Sequence, residues 1–313
     1  MVEDKLSIII PIYNEEGNIL PLYKEIKEEI SKNFLNFEII YVNDNSNDNS
    51  LNELLSLQDI TILNLNKNYG QSIAFDAGFK YATGDLIVSL DGDGQNNPKD
   101  IKNLYDKMIE GNFDVVAGWR KNRKDKKSIK ILTKIGRVIR KKIIADVVND
   151  QGCSLRIYKI EAAKSLDIGG EMHRYILSIL RWKGFKIGEI VVDHRPRIYG
   201  KSKYTSKKAI RGSIDLIYVW FIQKYSQRPL HLFGSLGFIS FLIAFLSGVW
   251  TIYEKIEFGL SLNRNGWFFV TAFLIIVGII LFSFGIIIDL LIKNNFNSSK
   301  YENRYYLREI IKK

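Results

Sequence analysis

Two long uncharged apolar segments near the C-terminus constrain this chain more than any other feature. Residues 230–253 and residues 267–288 contain no Asp, Glu, Lys or Arg. At about 1.5 Å of rise per helical residue, each segment is long enough to cross about 30 Å of hydrocarbon. The alternative is a buried core helix, which the presence of two such segments side by side disfavours. The sequence therefore predicts a two-helix transmembrane region within residues 229–293.

Charged and aromatic residues flank these segments in the pattern expected of membrane helices. Lys224 and Arg228 precede the first segment, and Lys293 follows the second. Because Lys and Arg are enriched on the cytoplasmic side of a membrane, we expect both the N-terminal domain and a tail at 294–313 to be cytoplasmic. Aromatic residues suited to the membrane interface lie at the end of the first segment, Trp250 and Tyr253, and at the start of the second, Trp267.

The segment 207–228 mixes Lys and Arg with Ile, Leu, Tyr, Trp and Phe. This composition predicts an interfacial amphipathic helix that leads into the membrane and contacts its lipids. The N-terminus enters a predicted strand without a charged-then-apolar leader, so no signal peptide is predicted. We expect a multi-pass protein of the cell inner (cytoplasmic) membrane.

Residues 1–206 alternate short apolar runs with segments of helical periodicity. Strands are predicted at 6–12, 37–42, 60–65, 85–90 and 114–117, with helices between them, including 18–32 and 50–57. Such alternation is typical of an α/β domain with a mostly parallel sheet and helices on both faces. Ligands of these sheets bind at the carboxyl ends of the strands. Polar clusters follow the predicted strands at 13–16, 43–46 and 91–95.

The last of these clusters, Asp91-Gly92-Asp93-Gly94-Gln95, is the most informative. Two carboxylates two residues apart, on a turn with glycines, can point at one hard cation. Mg²⁺ and Mn²⁺ favour carboxylate oxygens and keep positions open for substrate phosphates. An ordinary Asp-Gly turn is the alternative when the cluster is taken alone.

The cysteine and histidine content excludes other kinds of site. Cys153 is the only cysteine, so an intramolecular disulfide and a cysteine-based zinc site are excluded. The three histidines, His173, His194 and His231, are not spaced as metal ligands.

A basic segment at 120–142 accounts for much of the formal charge of +11. It contains twelve Lys or Arg and one acid, Asp125. A solvated helix face and a nucleic-acid surface are the alternatives. No aromatic platform or DNA-binding motif accompanies the segment, so we predict no nucleic-acid partner. With membrane helices downstream, contact with anionic headgroups and a lipid phosphate is the better interpretation.

Together, the motifs of the N-terminal domain resemble the inverting glycosyltransferase family 2, which has the GT-A (Rossmann-like) fold. The resemblance depends on Pro11-Ile12-Tyr13-Asn14-Glu15-Glu16, Val42-Asn43-Asp44-Asn45-Ser46-Asn47-Asp48, Asn68-Tyr69-Gly70 and Asp91-Gly92-Asp93. Further motifs, and the two C-terminal spans, are similar to the subgroup of dolichol-phosphate mannose synthases and bacterial polyprenyl-phosphate glycosyltransferases: Gln95-Asn96-Asn97-Pro98 and Tyr199-Gly200-Lys201-Ser202-Lys203-Tyr204.

The resemblance implies a role for each matching residue. The implied nucleotide-sugar-binding residues are Pro11, Tyr13, Glu15, Val42, Asp44, Gly92, Arg197 and Lys203. The implied metal site, for Mg²⁺ or Mn²⁺, comprises Asp91, Asp93 and Gln95. The implied acceptor-phosphate residues are Arg120 and Arg137, and the implied catalytic residues are Asp93, Arg120 and Lys203. One departure is Asn43, which is neutral where the family more often has a carboxylate.

The implied function is that of a hexosyltransferase, which transfers a sugar from a UDP- or GDP-sugar to a polyprenyl phosphate. A phosphate monoester is already anionic near neutral pH, its second pKa being about 6. We therefore expect inversion without an essential base, with Asp93 as the nearest candidate if one is used. The alternatives are an enzyme that extends a glycan or glycolipid hydroxyl and a non-catalytic nucleotide-sugar-binding scaffold. Packing between membrane spans makes a homo-oligomer plausible.

Overall fold

The computed structural model describes residues 2–121, 148–196, 217–221, 224–225, 228–297 and 305–313. These residues fall into two compact units. The first lies within residues 1–219 and 302–313, and the second within residues 220–301.

The first unit is an α/β domain built on one sheet. Its strands are β1 (Leu6–Ile12), β2 (Phe37–Asn43), β3 (Thr61–Leu65), β4 (Leu86–Ser89), β5 (Val115–Trp119), β6 (Arg156–Lys159), β7 (Ile187–Val191) and β8 (Leu307–Lys312). Its helices are α1 (Ile19–Asn33), α2 (Ser50–Leu55), α3 (Gln71–Tyr81), α4 (Asp100–Glu110), α5 (Ile160–Lys164) and α6 (Ile176–Trp182). A 3₁₀ turn at Met172–Tyr175 precedes α6.

The strand order is β7-β5-β6-β4-β1-β2-β3-β8. The four central strands β4, β1, β2 and β3 are parallel, and β5 is parallel to β7. Strand β6 runs antiparallel to β4 and β5, and β8 runs antiparallel to β3. The sheet is therefore mixed and mostly parallel, which confirms the predicted α/β class.

Burial explains why the sequences of the central strands are almost continuously apolar. The sequence of β1, LSIIIPI, is buried along almost its whole length, as expected when helices cover both faces of a parallel sheet. Helix α1 buries Ile19, Leu22, Ile26 and Ile30, which lie on one face at helical spacing. Helix α3 packs close to the opposite face, because Gly78 leaves no room for a side chain: a Cβ there would lie 2.2 Å from Ile9 Cγ2. The N-terminus of α3 is thereby held beside the carboxyl ends of β1 and β2.

The second unit contains two long apolar helices, α7 (Pro229–Phe258) and α8 (Gly266–Asn297), as the sequence predicts. Both are long and apolar enough to span a membrane, and most of their large apolar side chains are exposed. Their contact is made by small residues. A Cβ on Gly237 would lie 3.0 Å from the Gly278 carbonyl oxygen, and Ser247 Oγ lies 2.8 Å from Thr271 Oγ1. Close approach through small residues is typical of membrane helix pairs.

The C-terminal residues form a strand that the sequence analysis did not predict. Residues 294–313 were predicted only as a tail, but Leu307–Lys312 pairs with β3 as β8. The chain therefore leaves the α/β unit, passes through α7 and α8, and returns to the same sheet. The interfacial helix predicted at 207–228 falls largely outside the described residues, of which 217–221 and 224–225 are helical.

Candidate active site

The candidate site lies where β1, β2, β4 and β5 end at the same edge of the sheet. Pro11 of β1 pairs with Val42 of β2, and Ile12 pairs with Asn43. The loop after β1 carries Tyr13 and Glu15, and the loop after β4 carries the residues of the predicted metal site. The fold therefore gathers these predicted residues at the edge where ligands of open α/β sheets bind.

Asp91 is held in place by two neighbouring polar side chains. Gln71 Nε2, at the start of α3, donates to Asp91 Oδ1 at 2.7 Å, and the Ser154 side chain also hydrogen-bonds to this carboxylate. Burial, and then the charge of Asp93, raise the pKa of Asp91 to about 6. A carboxylate whose ionised form is disfavoured by burial and by a neighbouring negative charge is stabilised by a bound cation.

Asp93 and Gln95 are oriented by the same loop. Asp93 is 7% exposed and its Oδ1 accepts the Gln95 backbone N–H at 3.1 Å. Gln95 Nε2 donates to the Arg195 carbonyl oxygen, and the Arg195 N–H donates back to the Gln95 carbonyl. Because the amide nitrogen of Gln95 has this partner, its side-chain oxygen is the atom left to face a ligand.

The oxygen atoms of these side chains suit a divalent cation whose remaining coordination positions are filled by substrate. Two carboxylates and an amide oxygen match the preference of Mg²⁺ and Mn²⁺ for oxygen ligands. Within the described ranges, no group of three or more His, Cys, Asp and Glu side chains could hold a metal ion by itself. Phosphate oxygens of a bound nucleotide would complete such a coordination shell.

Gly92 has a steric reason to be glycine. A Cβ at this position would lie 2.4 Å from Ile12 Cδ1 and 3.0 Å from the Pro11 carbonyl oxygen. The absence of a side chain lets the loop after β4 pack directly against the end of β1. Gly92 thus contributes to the packing that sets the position of Asp91 and Asp93, and its implied place in the nucleotide-sugar site stays a prediction.

Asp44 is buried and connects β2 to the start of α3. It is 3% exposed, and its two carboxylate oxygens accept the N–H groups of Tyr69 and Gly70 at 2.7 and 2.8 Å. Burial raises its pKa, and these two hydrogen bonds oppose that rise. The base contact implied for Asp44 by the resemblance stays a prediction beside this structural role.

Arg120 follows β5 and forms a two-pronged ion pair with Asp150. Its Nε and Nη2 donate to the two carboxylate oxygens at 2.7 and 3.0 Å. Glu189 of β7 in turn accepts the N–H groups of Asn149 and Asp150 at 2.8 and 2.9 Å. The pairing of Arg120 through one edge of its guanidinium leaves the Nη1 side available to an anion.

Some site residues were missed by the sequence analysis, and others cannot be compared. Gln71 and Ser154 interact with the predicted residue Asp91, and Glu189 holds Asp150, the partner of Arg120. None of the three was among the predicted site residues. Gln71 directly follows the Asn68-Tyr69-Gly70 motif, which was the available signal. The predicted site residues outside the described part of the chain are Arg137, Arg197 and Lys203.

Comparison with known proteins agrees with this geometry. The family described as Glycosyl transferase family 2 matches residues 7–167. The dodecaprenyl-phosphate galacturonate synthase of Rhizobium johnstonii is 32% identical over 98% of this chain and 93% of its own. The undecaprenyl-phosphate 4-deoxy-4-formamido-L-arabinose transferase of Proteus mirabilis is 31% identical over 98% of this chain and 94% of its own.

Solved structures share the fold. Glucosyl-3-phosphoglycerate synthase from Mycobacterium tuberculosis, in complex with Mn²⁺, UDP-glucose and phosphoglyceric acid, superposes with a TM-score of 0.56 at 15% identity. The match covers 70% of this chain and 79% of that one. Fold, site geometry and sequence similarity thus agree, and the chain belongs to glycosyltransferase family 2.

Proposed function

We propose that this protein transfers a sugar from a nucleotide-sugar to a polyprenyl phosphate at the cytoplasmic face of the membrane, in a metal-dependent, inverting reaction. The observation that carries the proposal is the pair Asp91 and Asp93 at the carboxyl end of β4, beside the nucleotide-side loops of β1 and β2. Two relatives that match nearly the whole chain act on dodecaprenyl or undecaprenyl phosphate, which supports the acceptor class.

The donor would bind along the ends of β1, β2 and β4. We propose that Pro11, Tyr13, Glu15, Val42 and Asp44 line the nucleotide pocket, with Gly92 setting the position of the adjacent loop. Arg197 and Lys203, which lie outside the described residues, would contact the donor diphosphate.

Asp91, Asp93 and Gln95 would hold the metal. A bound Mg²⁺ or Mn²⁺ neutralises the charge that develops on the leaving nucleotide diphosphate. Gln71 and Ser154 would keep the Asp91 carboxylate in the orientation that the cation requires.

The acceptor would bind on the Arg120 side of the site. Asp150 holds one edge of the Arg120 guanidinium, and the other edge would bind the lipid phosphate, with Arg137 as a second contact. The phosphate oxygen attacks the anomeric carbon, the bond from that carbon to the nucleotide diphosphate breaks, and the nucleotide departs with the electron pair. A phosphate anion needs no deprotonation for this attack, so positioning and charge stabilisation carry the catalysis.

The sugar class is proposed more broadly than hexose. The two relatives named above act with galacturonate and with a 4-deoxy-4-formamido-L-arabinose group. Neither is a simple hexose, so uronic acids and modified pentoses belong in the donor panel.

The cytoplasmic location is supported by two observations. Lys and Arg flank the outer ends of the two apolar segments. In addition, β8 follows the second long helix and pairs with β3 of the N-terminal domain, which supports placing both ends of the helix pair on the same side of the membrane.

The test uses full-length protein in detergent with Mn²⁺, undecaprenyl phosphate and a panel of UDP- and GDP-sugars that includes UDP-galacturonate and UDP-4-deoxy-4-formamido-L-arabinose. The expected product is a sugar-phospholipid in which the sugar is bound through the lipid phosphate. Transfer only to a sugar hydroxyl would overturn the acceptor assignment. Nucleotide-sugar binding without turnover on any donor would favour the scaffold alternative.

A further inference from the structure

Three polar side chains from β2, β3 and β8 lie in one row across the sheet. The register pairs Asn43 with Asn64 and Asn64 with Glu309. Asn43 Nδ2 donates to Asn64 Oδ1 at 2.9 Å, and Asn64 Nδ2 donates to the Glu309 carboxylate at 3.0 Å. Both asparagines are 1% exposed, so their amides depend on protein partners rather than on bulk water.

The row continues into the loops at the candidate site. Asn43 Oδ1 accepts the Ser46 N–H at 3.2 Å and the Ser46 hydroxyl at 2.7 Å. The Ser46 Oγ in turn accepts the Asn14 N–H at 3.1 Å, in the loop after β1. Glu309, Asn64, Asn43, Ser46 and Asn14 thus form one chain of hydrogen bonds, which we call the amide relay.

Glu309 sets the direction of the amide relay. An ionised carboxylate accepts hydrogen bonds and donates none. Asn64 must therefore turn its NH₂ group toward β8 and its oxygen toward Asn43. Asn43 must then turn its own NH₂ group toward Asn64, which leaves its oxygen for Ser46.

Strand β8 holds Glu309 firmly in this position. Ile60 and Lys313 exchange both backbone hydrogen bonds, at 3.0 and 3.1 Å, at one end of the strand. At the other end, the Asn66 N–H donates to the Tyr306 carbonyl at 3.1 Å, and the Tyr306 N–H donates to the Tyr69 hydroxyl at 3.2 Å.

The amide relay ends at Asn14, in the loop after β1, and its Ser46 directly follows Asn45, in the loop after β2. Asn14 and Asn45 have φ values of 54° and 56°, in the left-handed region that asparagine adopts more readily than most residues with a side chain. Tyr13 and Glu15 flank Asn14, and Asp44 precedes Asn45. The residues proposed to line the nucleotide pocket therefore lie directly beside the end of the relay.

We propose that Glu309, on the C-terminal strand, is a positioning residue for the nucleotide pocket. Its carboxylate fixes the orientation of the two buried amides, and these amides hold the loops after β1 and β2 in their binding conformation. The part of this inference that concerns the nucleotide rests on the proposed function. It links the segment that follows the membrane helices to donor binding.

The relay predicts a specific coupling between positions 43 and 309. In the Asn43→Asp variant, the new carboxylate can only accept hydrogen bonds, so Asn64 would have to turn its NH₂ group toward position 43. The Asn64 oxygen would then point at the Glu309 carboxylate, which cannot donate to it. In the double variant Asn43→Asp with Glu309→Gln, the glutamine amide can donate to that oxygen. The two links made by Asn64 are then satisfied in the opposite direction, while Ser46 still donates to position 43. Glu309→Gln alone keeps an acceptor oxygen for Asn64 but can also donate, so this single variant is the reference for the double variant.

The experiment measures the affinity of the full-length protein for UDP and for GDP with Mn²⁺, together with the melting temperature. Asn43→Asp is expected to weaken binding of the preferred nucleotide about tenfold, because a buried polar group loses its partner, and to lower the melting temperature by a few degrees. The double variant is expected to restore both. Glu309→Ala should raise the donor KM and leave kcat nearly unchanged, while Lys312→Gln, on the same strand, should change neither.

The outcomes separate this inference from the proposed function. Equal nucleotide affinities for Asn43→Asp and the double variant would overturn the relay. Unmodified protein that binds neither UDP nor GDP would overturn both the proposed function and the role of the relay in nucleotide binding. If the variants at positions 43 and 309 change nucleotide affinity as expected, but the unmodified protein transfers no sugar to undecaprenyl phosphate, the proposed acceptor is overturned and the amide relay is supported.

Discussion

Arg120 and Asp150 are joined by two parallel hydrogen bonds, from Nε at 2.7 Å and from Nη2 at 3.0 Å. Their side chains are only 11% and 18% exposed. Asp150 also accepts the backbone N–H groups of Arg120 and Gly152. The loop that follows β5 and the loop that precedes β6 are therefore fixed to each other, and the proposed phosphate-binding guanidinium has one defined orientation.

Asp150→Asn is expected to destabilise the protein by about 3 kcal/mol, because it leaves a largely buried guanidinium without its counter-charge. Thermal unfolding of the full-length protein measures this loss. The matched control is Asp106→Asn, which breaks the exposed pair with Lys102 on α4 and should cost less than about 1 kcal/mol. Equal losses of stability in the two variants would show that the Arg120–Asp150 pair stabilises the protein no more than an exposed ion pair does.

The same pair predicts a pH dependence of stability. Burial alone would raise the pKa of Asp150, but the hydrogen bonds and charge of Arg120 outweigh burial and hold the pKa below its ordinary value of 3.8. A carboxyl whose pKa is lowered by folding stabilises the protein above the unfolded-state pKa, and this contribution is lost as the pH falls through the lower folded-state value. The stability difference between the unmodified protein and Asp150→Asn should therefore be constant from pH 7 to about pH 5 and shrink below pH 3.8. A difference that grows on acidification would contradict this sign.

Asp91→Asn and Asp93→Asn are each expected to reduce turnover by at least about a hundredfold, since loss of metal charge stabilisation is worth several kcal/mol. Chelation of divalent ions should have a similar effect on the unmodified protein, and added Mn²⁺ should reverse it. Mn²⁺ binding in the presence of UDP, followed by electron paramagnetic resonance, separates loss of the metal from loss of folding. Asp106→Asn again serves as the control and should retain both binding and turnover. Full activity of either variant under saturating Mn²⁺ would remove that residue from the metal site.

Gly92→Ala tests whether packing against β1 positions the metal loop. The added methyl group would meet Ile12 Cδ1 and the Pro11 carbonyl oxygen, and overpacking of this kind costs about 1–3 kcal/mol. Ile12→Val removes Cδ1, so the double variant Gly92→Ala with Ile12→Val should recover part of the stability and activity. The melting temperature and the Mn²⁺ dependence of turnover are the measurements. No recovery in the double variant would indicate that the Pro11 carbonyl, rather than Ile12, sets the limit.

The central part of the fold was predictable because its signal is local. Strands β1 to β4 are buried on both faces and appear as short apolar runs between helical segments, so no predicted bound differs from the observed one by more than one residue. The carboxylates Asp91 and Asp93 were predictable because they directly follow such a strand.

The rest of the site depends on contacts between distant positions, which leave no local pattern. Asn64 and Glu309 are separated by 245 positions, and most residues of β8 are exposed, so β8 shows no alternation of buried and exposed residues. The orientation of Arg120 depends on Asp150, 30 positions later. The steric role of Gly92 follows from the approach of β1, which a single sequence does not reveal.

The topology of the membrane helices can be tested with single introduced cysteines. Ser261 lies exposed in the connection between α7 and α8, and Lys312 lies exposed on β8. Because β8 belongs to the sheet of the N-terminal domain, the two helices should cross the membrane as a pair, with their connection on the outer side. In intact cells, a membrane-impermeant maleimide should label Ser261→Cys and should label Lys312→Cys only after permeabilisation. The native Cys153 is fully buried, so the unmodified protein provides a low background. Labelling of Lys312→Cys from outside intact cells would overturn the cytoplasmic placement of the catalytic domain.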